Sequence, residues 1–286
     1  MEYNPTSFEV AQIYLQRMFR WRQNSSPYIS GDAFADFCDF VYRPPKFRSF
    51  RAQRRSIDGA ETIYVVGTDF PQFVKDFGTT LNPSAIIIGN SDFEYKNFDN
   101  SLFGSHTRIF SQNSFVSDNI KIFTIPIGIE NLRLGQNGLH KYMQFQKWES
   151  RSKRVLIGPF GNTHKLRNVV TKDFSSTKGP WDVAQGYIKP QDYVKLSARY
   201  QYIAAVRGNG VDTHRFWESL YRGAIPIVLE DSWSKSLEGL GLPFLSTRDW
   251  RPATVIELIE NHNAQKFDPL RVDALWMPYW QKMING

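Results

Sequence analysis

The stretch "RGNGVDTHRFWESLYRGAIPIV", residues 207–228, crowds Arg207, Asp212, His214, Arg215 and Glu218 around a pair of glycines. Side chains of this kind, at this spacing, suit an anion. Gly208 and Gly210 carry no Cβ, so a backbone turn there can approach a ligand closely. A helix that starts behind such a turn offers free N–H groups and a positive dipole end to a phosphate. Asn209 and Thr213 lie in the same turn and are counted in the same site. On a helix, His214 precedes Glu218 by four residues and Arg215 by three, so both basic groups can reach that one carboxylate. A carboxylate one turn into a phosphate-binding helix is placed to accept both hydroxyls of a ribose. Plainer readings stand beside these: Asp212 as a helix N-cap, Glu218 paired with Arg222, and His214 as a surface histidine. The pattern is neither G-x-G-x-x-G nor a P-loop, because no GK[ST] follows.

The surrounding elements must hold that turn in place. "YIAAV" reads as a buried strand, "RGNG" as the turn, "DTHRFWESLYR" as a helix stopped by Gly223, and "AIPIVLE" as the next strand. Short apolar runs alternate with helical patterns along the whole chain, which predicts α/β architecture with parallel strands. The runs at 27–30, 62–67, 84–89, 107–112 and 121–128 form a first half; those at 154–160, 200–206, 224–230 and 242–246 form a second. A boundary is expected between 135 and 152. The tail "DALWMPYWQKMING" sets Trp276, Tyr279 and Trp280 at helical spacing around Pro278, which predicts a kinked helix pinned by aromatics.

Composition narrows the class. The 286 residues are 41% hydrophobic and 22% charged, as in soluble globular chains. A single cysteine, Cys38, excludes an internal disulfide and any multi-cysteine metal site, and its setting reads as packing. No apolar run approaches the ~20 residues that span a bilayer, and the first residues show no export signal, so a cytoplasmic protein is expected. The net charge of +7 suits an anionic partner. The segment "YRPPKFRSFRAQRR" concentrates six Lys/Arg and no acid between 43 and 55. It can track an anionic acceptor, a membrane surface or a nucleic-acid backbone, or be a solvated loop.

The 207–228 stretch, followed by "LPFLS", resembles the donor-binding half of exostosin-like glycosyltransferases and related GT-B enzymes. In those proteins a glycine turn, an R-x-x-E helix and a G-x-I-P-[IV] strand hold a nucleotide-sugar. "YISGDAF", "IIIGNSD" and "TIPIGIEN" resemble the acceptor half of similar transferases. The resemblance implies two Rossmann-type domains facing across a crevice, here 1–140 for the acceptor and 141–286 for the donor. It also implies a C-terminal helix that packs back on the first domain. By the same likeness Glu218 binds the ribose, and Arg207 and Arg215 lie near the diphosphate. The loop "GPFGNTHKLR" would bring Lys165 and Arg167 to the phosphates, or else is a solvated helix start. A UDP-sugar donor and a glycan acceptor are implied.

Such a reaction stabilises a departing diphosphate and deprotonates an acceptor hydroxyl. The chain has no D-x-D, so Arg, Lys and helix dipoles are expected to carry the phosphate charge without a metal or cofactor. An inverting reaction needs a base from the first half. Asp32, Asp92 and Glu130 end predicted strands, where open α/β sheets place ligands; each is equally a cap or turn residue. Asp92 is preferred, because "AIIIGNSD" is the clearest buried strand ending in a polar turn. Two other readings remain open. One is a nucleic-acid-binding protein using the 43–55 cluster, although no RNP, KH, zinc or helix-turn-helix pattern is present and no nucleic-acid partner is expected. The other is a nucleotide-binding module without catalysis.

Overall fold

The computed structural model describes residues 25–43, 55–92, 94, 99, 101–114, 121–145, 147–263 and 266–286. They form two five-stranded sheets, each parallel throughout. The first contains β1 (Phe40–Val41), β2 (Thr62–Val66), β3 (Ala85–Gly89), β4 (Arg108–Ser111) and β5 (Ile122–Thr124), side by side in chain order. Its apolar runs are not alternating. Every residue of β3 is buried, as a central parallel strand covered on both faces requires. Helices α1 (Gly31–Phe37) and α2 (Phe70–Phe77) belong to this half.

The second sheet has the order β7-β6-β8-β9-β10. Its strands are β6 (Ser152–Ile157), β7 (Trp181–Val183), β8 (Tyr200–Ala204), β9 (Ile225–Leu229) and β10 (Leu245–Thr247). Between and after them run α3 (Lys165–Ser176), α4 (Pro190–Ser197), α5 (His214–Tyr221), α6 (Ser232–Ser236), α7 (Pro252–Asn261) and α8 (Met277–Asn285). Here the chain steps outward from β6 to β7 and then crosses to β8 on the other side of β6. That reversal is what separates this sheet from the first, whose described strands never change direction.

Several expectations shift. The run at 27–30 is not a strand of either sheet. It makes single bridges, Tyr28 to Trp276 and Ser30 to Gly128, and so lies between the two halves. Of the run at 121–128, only Ile122–Thr124 is a strand of the sheet. β1 and β7, two and three residues long, are too short to show a pattern in the sequence. Pro278 does not kink the last helix. It occupies the first turn of α8, where its missing N–H costs nothing.

That helix packs against the first half. Arg108 at the start of β4 donates to Met283 O at 3.0 Å and to Ile284 O at 2.6 Å, satisfying carbonyls that a helix end leaves bare. One buried cluster runs through both halves, joining Ile29, Phe34 and Phe110 to Phe216, Trp217 and Trp280. Cys38 sits in the same cluster as packing. Among the described residues no helix is long and apolar enough to cross a membrane.

Candidate functional site

The strand reversal creates the site. The loops after β6 and β8 leave neighbouring strand ends in opposite directions, and such a point in an open parallel sheet leaves a crevice at the carboxyl edge. A cleft of about 1000 Å³ lies there. Its walls are Pro159, Phe160 and Thr163 after β6, Tyr187 and Tyr193 around α4, and Gly208 to Gly210 before α5. The first half supplies Asp92, Ile127 and Asn137.

Two guanidinium groups dominate the second-half wall. Arg167, on the first turn of α3, donates to Val206 O, Arg207 O and the Thr163 hydroxyl, the last at 2.9 Å. Arg215, on the first turn of α5, donates to Pro159 O at 2.6 Å. Their guanidinium carbons lie 5.6 Å and 5.0 Å from the centre of the Phe160 ring. Arg215 also stands 5.1 Å from the Tyr193 ring. Neither arginine has a carboxylate in salt-bridge range among the described residues. Burial, and secondarily the Arg215 charge, pushes Arg167 down to about 10. Arg215 Nη1, Thr213 Oγ1 and the Tyr193 hydroxyl are buried without a hydrogen-bond partner among the described residues, and all three residues line the cleft. Buried polar atoms are nearly always paired, so donors orphaned together on one wall describe the ligand that fits them: an anion rich in acceptor oxygens.

Asp212, His214 and Glu218 also line the cleft, but their partners differ from those expected. Glu218 lines the cleft but is 7% exposed, and its cation is Arg222 at 3.4 Å. His214 does not turn to Glu218; its Nδ1 lies 2.8 Å from Gly128 O in the first half. Arg215 points to Pro159 O rather than to Glu218. Asp212 is no N-cap, since Thr213 holds that position. The Asp212 carboxylate accepts the Ile127 N–H at 2.7 Å and the Trp217 indole N–H at 2.8 Å, which commits it to internal bonds rather than to a ligand. Burial pushes it up to about 7 despite those donors. Arg207 is ion-paired with Glu94 and donates to Asn209 O at 3.1 Å, so it is engaged with the protein.

The glycines have a reason that the sequence did not suggest. A Cβ on Gly210 would lie 2.6 Å from Asn113 Oδ1, and one on Gly208 3.0 Å from Arg167 Nη2 and Thr163 Oγ1. The close approach is to side chains of the protein itself. Lys165 is exposed at the start of α3 and does not line the cleft. His164 caps α3, its Nδ1 accepting the Leu166 N–H at 3.2 Å. Burial and then the charge of Arg207 lower its pKa.

Of the three acids from the first half, one faces the cleft. Asp92 is exposed there and accepts from Asn209 Nδ2 at 3.2 Å. Asp32 is 2% exposed, ion-paired with Arg133 at 2.9 Å and bonded by Asn90 Nδ2 at 3.1 Å, and it is not among the lining residues. Glu130 closes its own loop by accepting the Asn137 N–H at 2.8 Å, so the cleft receives Asn137 and not Glu130. Of the basic segment 43–55, Arg43 and Arg55 are described, and residues 44–54 lie outside the described residues. Phe160, Tyr193, Asn113 and Asn137 were not singled out from the sequence. Nothing local marks them, because their importance comes from strand order.

No family model matches the chain. Over 65 residues, 23% of its length, the chain is 34% identical to the exostosin-1 homolog of Caenorhabditis elegans. That stretch is 15% of the relative's length, so the chain spans a small part of the protein it matches. The relative bears the family name that residues 207–228 also bring to mind by resemblance. The likeness is partial.

Proposed function

We propose that this protein is a glycosyltransferase of GT-B type that moves a sugar from a UDP-sugar to a hydroxyl of a glycan, with inversion and without a metal. The observation that carries this reading is the Arg167–Arg215 pair: two half-buried cations side by side in a cleft at a strand reversal, with no carboxylate partner among the described residues. In this reading residues 141–286 hold the donor and 1–140 the acceptor.

The diphosphate lies against Arg167, Arg215 and the start of α5, where the hydroxyl of the N-cap Thr213 has no partner among the described residues. Glu218 accepts the ribose hydroxyls on the oxygen not held by Arg222. Asp92 takes the acceptor proton. The acceptor oxygen attacks the anomeric carbon, the bond from that carbon to the diphosphate oxygen breaks, and its electron pair leaves on the diphosphate. The arginines meet the charge that grows there, where a cleft low in water makes each interaction count for more.

Two measurements test the reading. UDP should raise the melting temperature, and more than GDP does. A panel of nucleotide-sugars should include one that the protein hydrolyses slowly without an acceptor. Binding of no nucleoside diphosphate would sink the proposal; binding with no turnover of any donor would leave a nucleotide-binding module.

A further inference from the structure

Asn113 stands at the end of β4 with a side chain that no motif in the sequence marks. It is fully buried, with φ +53° in the left-handed region that asparagine tolerates better than most residues. Its amide is used at both ends. Nδ2 donates to Ser91 O at 3.0 Å, and Oδ1 accepts the Asp212 N–H at 2.9 Å. The first bond grips the residue next to Asp92; the second grips the residue that follows the glycine turn by two positions. Gly210 leaves the space this requires, since a Cβ there would fall within 3.0 Å of Oδ1, Cγ and Nδ2 of Asn113. Asn209, the neighbour of Gly210, is itself bonded to Asp92.

We propose that Asn113 is a positioning residue which sets the distance between Asp92 and the turn at 208–210. It touches no substrate. It acts as a spacer between the two loops that face each other over the cleft, and Gly210 is its socket. What Asp92 does chemically rests on the glycosyl-transfer reading; the spacer itself rests on the bonds just described. Reacting groups displaced by about 1 Å lose on the order of 10²-fold in rate, so a loosened spacer should act on the chemical step and spare donor binding.

The test uses the full chain with Asn113→Asp, which keeps the shape and the Asp212 bond but sets an oxygen against Ser91 O. Gly210→Ala displaces Asn113 from the opposite side and serves if the first variant does not fold; because Gly210 itself lines the cleft, that variant is read by hydrogen exchange alone. With a UDP-sugar as donor, kcat should fall by about tenfold to a hundredfold, while the donor KM stays within about twofold. Hydrogen exchange should quicken together at residues 89–92 and 207–213 and stay unchanged in β6 and α3. A raised KM with kcat intact, or faster exchange in only one of the two segments, would overturn the inference. If wild-type protein turns over no donor, it is the glycosyl-transfer reading that fails. Exchange alone then decides for or against the spacer.

Discussion

The indole N–H of Trp217 donates to Asp212 at 2.8 Å, and the same carboxylate accepts the Ile127 N–H at 2.7 Å. A single buried acid thus joins helix α5 to the chain that follows β5. Its burial makes the charged form costly, and its donors only partly offset that cost.

A pH dependence follows. Asp212 sits at about 7 in the fold, above the value near 4 of an unfolded aspartate. The folded protein holds this proton more tightly, so the stabilising contribution is complete below about pH 4 and is lost as pH rises toward 7, at ~1.4 kcal/mol per unit. In Asp212→Asn that titration is gone, although one of the two hydrogen bonds is also weakened. Unfolding free energies of the two proteins, measured by urea titration, should therefore draw apart in the variant's favour from pH 4 to 7 and run parallel above. A constant difference across that range would mean that the carboxylate is already charged at pH 4.

Arg215→Gln should weaken UDP binding by ~1.5–3 kcal/mol, the scale of a hydrogen bond to a charged group. Removing one of two neighbouring cations also relieves their repulsion, so the melting temperature should move little. Calorimetry and a thermal melt separate the effects. Unchanged affinity with a large loss of stability would make Arg215 a structural residue that holds the Pro159 carbonyl.

Glu218 needs two variants, because its Arg222 partner is 4% exposed. Glu218→Ala leaves that guanidinium its bond to the Tyr142 carbonyl but no counter-charge, and should cost ~3 kcal/mol of stability as well as affinity. Glu218→Gln keeps an acceptor for Arg222 while removing the charge, and it should lose UDP affinity with a smaller loss of stability. Equal affinities in Glu218→Gln and wild type would remove Glu218 from the ribose.

Asp92→Asn should lower transfer by ~10²–10⁴ with UDP affinity unchanged. The side chain is exposed, so stability should hold. Asp32→Asn should behave in the opposite way, because it breaks the buried pair with Arg133. A rate loss confined to Asp32→Asn would transfer the role of base.

Strands covered on both faces are plain in the sequence: "AIIIG" is β3 and "YIA" lies within β8. The stop at Gly223 was equally plain, since φ +81° there is a glycine conformation. The turn at 207–210 stands before a helix as its sequence predicts, and both glycines line the cleft. Its glycines make room for Asn113 and Arg167, residues 97 and 41 positions away from them, and no local pattern records so distant a contact. The same holds for Asp212. A carboxylate before a helix looks like a cap until the fold brings Ile127 against it. What stayed hidden was the order of strands, which decides which loops meet.

The helix that carries Arg215 and Glu218 on one side carries Phe216, Trp217 and Leu220 into the cluster shared with Ile29, Phe34 and Phe110. Swinging the two sheets apart would wet those rings, at about 1.5–3 kcal/mol for each large apolar side chain. For these three side chains that is about 4.5–9 kcal/mol, comparable with the whole binding free energy of a micromolar ligand. On the glycosyl-transfer reading, a substrate that cannot meet that cost would enter through the mouth of a cleft that the shared core holds near one width. Discrimination among them would follow from how well their shape matches that fixed gap, as a key gauge sorts by thickness.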